Sequence, residues 1–232
     1  MLLDLLFSGN IKETLIVFLM WVPIILLAFS VHESAHALVA SWLGDSTAKN
    51  FGRITLNPAK HLDPYGTLSM LVFGIGWAKP VPINSRNMKN PKWGMAISAL
   101  AGPVSNLLLG FIFVLAMSIA CKSVDVSYIN NTFYYWSDAP AWHLYLCEFF
   151  YYAAVLNISL AVFNMIPFPP FDGSRILYVV LPMKLYFKVM RYEQYVGIAI
   201  LVIFLVLNRI GINPLSYVVD PIVNLLLSLV GA

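Results

Sequence analysis

Long apolar runs broken by short polar stretches dominate the chain. They fall at about residues 14–43, 94–121, 143–166 and 195–212, with a weaker one at 214–230. A helix needs about 20 apolar residues to cross the hydrocarbon core of a bilayer, and the first three runs exceed that length. The pattern predicts an all-α polytopic membrane protein with four to six transmembrane helices. Between the first two runs lies an apolar island, "GTLSMLVFGIGWA", interrupted by Gly66, Gly74 and Gly76. It is too short and too broken for a clean span. A re-entrant, β-hairpin-like element after the first helix is expected instead, tolerable at membrane depth where protein covers its backbone. The alternating "FGRITLNP" before it reads as a strand that could pair with part of it.

Composition supports this class. Of 232 residues, 60% are hydrophobic and 11% charged, and mean hydropathy is +0.79. Soluble domains carry about 25% charged residues. No repeat or linker breaks the chain, so residues 1–232 are read as a single membrane domain, with a core at about 14–180 and C-terminal helices at 195–230. Asp4 stands where a signal peptide would carry its basic region, so the N-terminus is expected to be uncleaved.

Cation placement sets the expected topology. Of the 14 Lys and Arg, seven lie between the first two runs and four (Arg175, Lys184, Lys188, Arg191) between the third and fourth. Loops 45–93 and 167–194 are then cytoplasmic, loop 122–142 is outside, and the N-terminus is outside. Cys121 and Cys147 flank that outer loop. They are read as two buried free thiols, although a bridge closing the loop is open to them.

Within the first run, "FSVHESAHALVA" places Glu33 in a stretch that carries no other charge from Thr14 onward. A carboxylate there costs roughly 2.5–3.5 kcal/mol, so function is the default explanation. His32 and His36 are four residues apart and share one helix face. That spacing suits two imidazole ligands on one tetrahedral zinc ion, with Glu33 beside them as a base for the activated water. The chain has only four histidines, so a chance match is a poor explanation. A third ligand is missing from the motif. Topology disfavours His143, Glu148 and Asp220, which leaves His61, Asp63 and Asp172. Asp172 ends "NMIPFPPFD", where Pro167, Pro169 and Pro170 terminate a helix and Gly173 permits a turn. A bent peptide presenting one carboxylate suits a ligand, whereas the bland alternative is an Asp capping the next helix.

With "HESAH" and "NMIPFPPFDG" together, the chain resembles the site-2 protease family of intramembrane zinc metalloproteases. "GRITLNPAKHLDPYGTL", "WAKPVPIN" and "AGPVSN" extend the likeness over about residues 20–180, to the compact branch without PDZ or CBS domains. Phe171 departs from the usual Leu beside the ligand. The resemblance implies His32, His36 and Asp172 as ligands of one zinc ion per chain, Glu33 as general base, and Asn164 near the reaction centre. Asn106 in "AGPVSN" matches a family position, and its alternative role is helix–helix hydrogen bonding. The implied reaction is hydrolysis of a peptide bond in or near a substrate's transmembrane helix, which must first unwind. An edge near Ile54 and Leu56 could pair with the unwound chain. The expected partners are that helix and the lipid bilayer, with no nucleic acid. The competing class is a zinc-binding membrane protein, such as a transporter, chaperone or scaffold, without protease activity.

Overall fold

The computed structural model describes residues 11–67, 78–122, 126–129, 132–135 and 139–230. Most of the apolar island expected to re-enter the membrane lies outside these residues. The chain divides into two compact units, Met1–Gly102 and Pro103–Ala232. The division falls inside one continuous helix, where Pro103 has no N–H to give the carbonyl four residues earlier.

In the first unit, helix α1 (Ile11–Trp42) carries the first apolar run and contains Pro23. It ends in a motif that satisfies its last carbonyls. Gly44 takes φ +110°, its N–H bonds Ser41, and the Asp45 N–H reaches Ala40 at 2.9 Å. A buried Asp45 carboxylate then organises the loop that follows. It accepts from Thr47 N (3.1 Å), Thr47 Oγ1, Asn84 N (2.6 Å) and Asn87 Nδ2 (2.9 Å). Burial pushes this carboxyl up, but those four bonds outweigh it and hold it below the ordinary carboxylate value.

The expected strand at 51–58 is corrected. Among the described residues this stretch forms no strand; it bends at Ile54–Thr55 and enters a 3-10 turn at Pro58–Lys60 capped by Asn57. The reason is polar burial. Arg53 turns inward and donates to the carbonyls of Lys60 (2.6 Å), Lys79 (3.4 Å) and Pro80 (3.5 Å). The Thr55 backbone bonds side chains of α1 and the loop, not a neighbouring strand. An antiparallel bridge, Leu62 to Ala78, joins the two ends of the region.

Helix α2 (Pro91–Ala120) runs from the first unit into the second. Two antiparallel paired strands follow, β1 (Val126–Ile129) with β2 (Thr132–Tyr135), an addition to the all-α expectation. Helix α3 (Ala141–Asn164) comes next, then α4 (Gly173–Val180), α5 (Met183–Met190), α6 (Glu193–Arg209) and α7 (Ser216–Val230). Among the described residues, three helices are long and apolar enough to cross a membrane: Leu15–Trp42, Pro91–Ala120 and Ala141–Asn164. At 1.5 Å per residue α6 and α7, with 17 and 15 residues, fall short of the ~30 Å core.

The second unit's core follows helical spacing. Val114, Met117 and Cys121 of α2 and its end pack with Cys147, Tyr151, Ala154 and Ile158 of α3 and with Val219, Val223 and Leu227 of α7. Gly110 lets α2 and α3 approach closely, since a Cβ there would lie 2.8 Å from Ile158. Cys121 and Cys147 are joined as a disulfide, with Cα atoms 5.7 Å apart. This corrects the reading of free thiols: pairing of α2 with α3 brings the two ends of the intervening loop together, and helix pairing is not legible in cysteine spacing.

Candidate metal centre

The first unit supplies a histidine pair. His32 and His36 are one turn apart on α1, and both are buried. Their Nε2 atoms face each other at 3.0 Å. His36 Nδ1 lies 2.7 Å from the Ser98 carbonyl oxygen. A carbonyl only accepts, so Nδ1 carries the proton and His36 Nε2 is left as a lone pair directed at its neighbour. Ligand nitrogens around tetrahedral zinc, at about 2.0–2.1 Å from the metal, are about 3.3 Å apart. The pair is near that separation.

The space before these nitrogens is kept open by Gly102. A Cβ at that position would fall 2.6 Å from His32 Nε2 and Cε1, and closer still to His36 Nε2. Ser98 Oγ, on the same helix, is a buried hydroxyl without a hydrogen-bond partner among the described residues. Two converging ring nitrogens, one with a fixed tautomer, and a gap that any side chain would fill suit a metal ion. Glu33 follows His32 directly and is half-buried.

The second unit supplies a carboxylate. Helix α3 ends at Asn164, and the proline-rich segment turns through Phe171 into α4. Gly173 is required at the turn, because a Cβ would press on the Met165 and Ile166 carbonyls, 2.6 Å from the latter. Asp172 occupies the N-cap position of α4, yet its side chain makes no capping hydrogen bond to that helix. The capping role falls to the Phe171 carbonyl, which accepts from Ser174 N (3.0 Å) and Ser174 Oγ (2.7 Å). The bland alternative for Asp172 therefore loses its support. Phe171 itself packs edge-on against Phe163, centroids 4.3 Å apart, so the departure from Leu is absorbed as an aromatic contact.

The remaining expected residues are placed differently. The Asn164 amide donates to the Leu160 carbonyl of its own helix at 3.0 Å. Asn106 is fully buried and donates from Nδ2 to Asn157 Oδ1 at 2.9 Å, and Asn157 donates in turn to the Ala153 carbonyl at 2.8 Å. That is the helix–helix bond weighed for Asn106. Ile54 and Leu56 are exposed, at 37% and 62%. His61, considered as a third ligand, turns its Nε2 to the Thr55 carbonyl at 2.9 Å. Asp63 accepts from the N–H groups of Tyr65 and Gly66. The sequence reading missed Asp45, whose burial no pattern announces, and the opening at Gly102, which "AGPVSN" signalled only as a close-packing site.

The family model for peptidase family M50 matches residues 20–204. Among curated proteins, the chain is 41% identical over 202 residues to "Putative zinc metalloprotease YwhC" of Bacillus subtilis, covering 86% of this chain and 84% of that one. Two proteins with names of the same form also match. MJ0611 of Methanocaldococcus jannaschii is 31% identical over 48% of each chain. Rip2 of Mycolicibacterium smegmatis is 26% identical over 64% of this chain and 52% of its own. No solved structure matches. With its three apolar helices, the chain is an integral membrane protein. It belongs to peptidase family M50, the site-2 protease family of zinc metalloproteases.

Proposed function

We propose that this protein is an intramembrane endopeptidase that hydrolyses a peptide bond within or near a transmembrane helix of a membrane-protein substrate. The observation that carries the reading is the converging pair of His32 and His36 nitrogens beside Glu33 on an apolar helix. His32, His36 and Asp172 would hold one zinc ion, a set of two imidazoles and one carboxylate able to bind a metal. When bound, zinc supplies Lewis-acid activation of the scissile carbonyl and of a water at neutral pH.

The chain's own groups do the rest. Glu33 takes the proton from the attacking water and passes it to the leaving nitrogen. Ser98, through its carbonyl, keeps His36 in the tautomer whose Nε2 lone pair could bind the ion. Asn164, at the end of α3 beside the proline-rich turn, is assigned to holding the substrate backbone or the developing oxyanion. The substrate helix must unwind before cleavage, because an intact helix engages its carbonyls in i→i−4 bonds. Residues 52–83, including Ile54 and Leu56, are assigned to receiving the unwound chain. The loops at 45–93 and 167–194 face the cytoplasm in this reading, with the N-terminus outside. Residues 195–230 add further membrane-embedded helices in this reading.

The test is zinc content and cleavage measured together on purified protein in detergent. We expect about one zinc per chain in wild type and its loss in Asp172→Ala. Glu33→Gln should keep the zinc and lower cleavage of a membrane helix on the order of 10³-fold. Zinc-loaded wild type that cuts no membrane helix would instead favour a metal-binding protein without protease activity.

A further inference from the structure

Ser34 lies between the two histidines, next to Glu33, and neither metal binding nor proton transfer uses it. A serine inside a helix commonly returns its hydroxyl to its own helix. Ser30 on the same helix does so, donating to the Leu26 carbonyl at 2.6 Å. Ser34 does not. Its Oγ donates to the Thr55 carbonyl and accepts from the Thr55 N–H at 3.3 Å, so one side chain holds both backbone groups of a loop residue.

His61 closes on the same carbonyl from the loop side. Its Nε2 donates to Thr55 O at 2.9 Å and lies 3.5 Å from Ser34 Oγ. The ring is 1% exposed, and its Nδ1 has no hydrogen-bond partner among the described residues. Leaving a buried acceptor unsatisfied is costly, so the bond at Nε2 is what this imidazole contributes. Three polar groups thus converge on one residue's backbone. On either side of it, the Ile54 and Leu56 backbones make no hydrogen bond among the described residues, and their apolar side chains are exposed.

We propose that Ser34 and His61 are positioning residues. They hold Thr55 against α1 beside Glu33 and present Ile54 and Leu56, with their available backbone groups, to the substrate chain in one register. The inference rests on the endopeptidase reading above. Losing either contact lets the loop shift along α1. The bound chain then shifts with it, and the bond that reaches Glu33 changes.

The experiment follows cleavage of a membrane-helix substrate in detergent by wild type, Ser34→Ala, His61→Ala, Ser34→Thr and His61→Gln, with products mapped by mass spectrometry. Zinc content and melting temperature are read on the same samples. We expect both alanine variants to retain zinc, to raise KM about tenfold with a smaller change in kcat, and to spread cleavage over neighbouring bonds. Ser34→Thr and His61→Gln, which keep a donor, should restore a single cut site. Alanine variants with wild-type KM and one unchanged cut site would overturn the proposal. So would variants that lose activity only in proportion to zinc or folded protein, the signature of a purely structural role. Zinc-loaded wild type that cuts no helix would overturn the endopeptidase reading, and the register claim with it.

Discussion

The two units bury different chemistry. Among the described residues, the polar side chains buried in the first are Ser30, His32, His36, Asp45, Arg53, His61 and Ser98, whereas the second buries Asn106, Asn157 and Ser174 beside a larger apolar cluster. The second unit is held as a membrane bundle is expected to be, by helical stripes of apolar side chains, a close approach at Gly110 and one amide pair. The first unit commits charged and polar groups to single defined positions. Apolar packing tolerates exchange of similar volumes, but a buried polar network fails when one member is left unsatisfied. The contrast sets the surroundings of the histidine pair apart from the apolar packing of the second unit without reference to any motif.

The sharpest way to break that contrast is to fill the gap before the histidine pair. Gly102→Leu places a branched side chain where a single Cβ already falls within 2.6 Å of His32 Nε2. We expect zinc to be lost and cleavage to fall on the order of 10³-fold or more, the scale of losing the catalytic group itself. Gly110 provides the control, because the nearest atoms to a Cβ there belong to Ile158 and the Ala154 carbonyl. Gly110→Ala should lower stability and leave zinc content unchanged, as read by metal analysis and thermal melts of both variants. Equal zinc loss in the two would mean that the first unit is no more specialised than the second.

Much of this candidate centre is legible in the sequence. His32, Glu33 and His36 stand out because ionisable groups are costly within an apolar run, and Asp172 because three prolines and a glycine surround it. Those signals are local: spacing on one helix, and breakers around one turn. What stayed hidden depends on pairing between distant segments. The alternation of "FGRITLNP" suggested a strand, but Arg53 finds its partners at Lys60, Lys79 and Pro80, and Thr55 finds Ser34 and His61. Gly102 read as a packing residue because nothing in "AGPVSN" reveals which helix face meets the histidines. The Cys121–Cys147 bridge and the strand pair 126–129 with 132–135 are likewise products of pairing and not of pattern.

A smaller effect is expected at Asp45, the hub of the first unit's loop. Asp45→Ala strands the donors of Thr47, Asn84 and Asn87. Hydrogen bonds to charged groups contribute about 1.5–3 kcal/mol each and do not add fully, so a net loss of about 2–4 kcal/mol is expected. The pH dependence has a definite sign. The folded carboxyl titrates below its ordinary value of 3.8, so its stabilisation is complete above that value and is lost as pH falls through the lowered one. The gap in melting temperature between wild type and Asp45→Asn should therefore narrow as pH drops below about 4. A gap that widens on acidification would contradict the charged, hydrogen-bonded carboxylate.

The smallest effect belongs to the second unit's amide pair. Hydrogen bonds between membrane helices average about 0.6 kcal/mol and reach about 1.7, because the separated helices also find partners. A double-mutant cycle of Asn106→Ala and Asn157→Ala should give a coupling energy in that range, with KM for a helix substrate unchanged in the single variants. The cycle separates two roles for Asn106 that a single substitution confuses. A residue that only joins helices couples to Asn157 and leaves substrate binding alone. A residue that touches substrate raises KM whether or not Asn157 is present. Asn106 is 0% exposed and already donates to Asn157, so the first outcome is expected. A raised KM without coupling would show that polar burial serves the reaction in both units, and that the difference between them is one of degree.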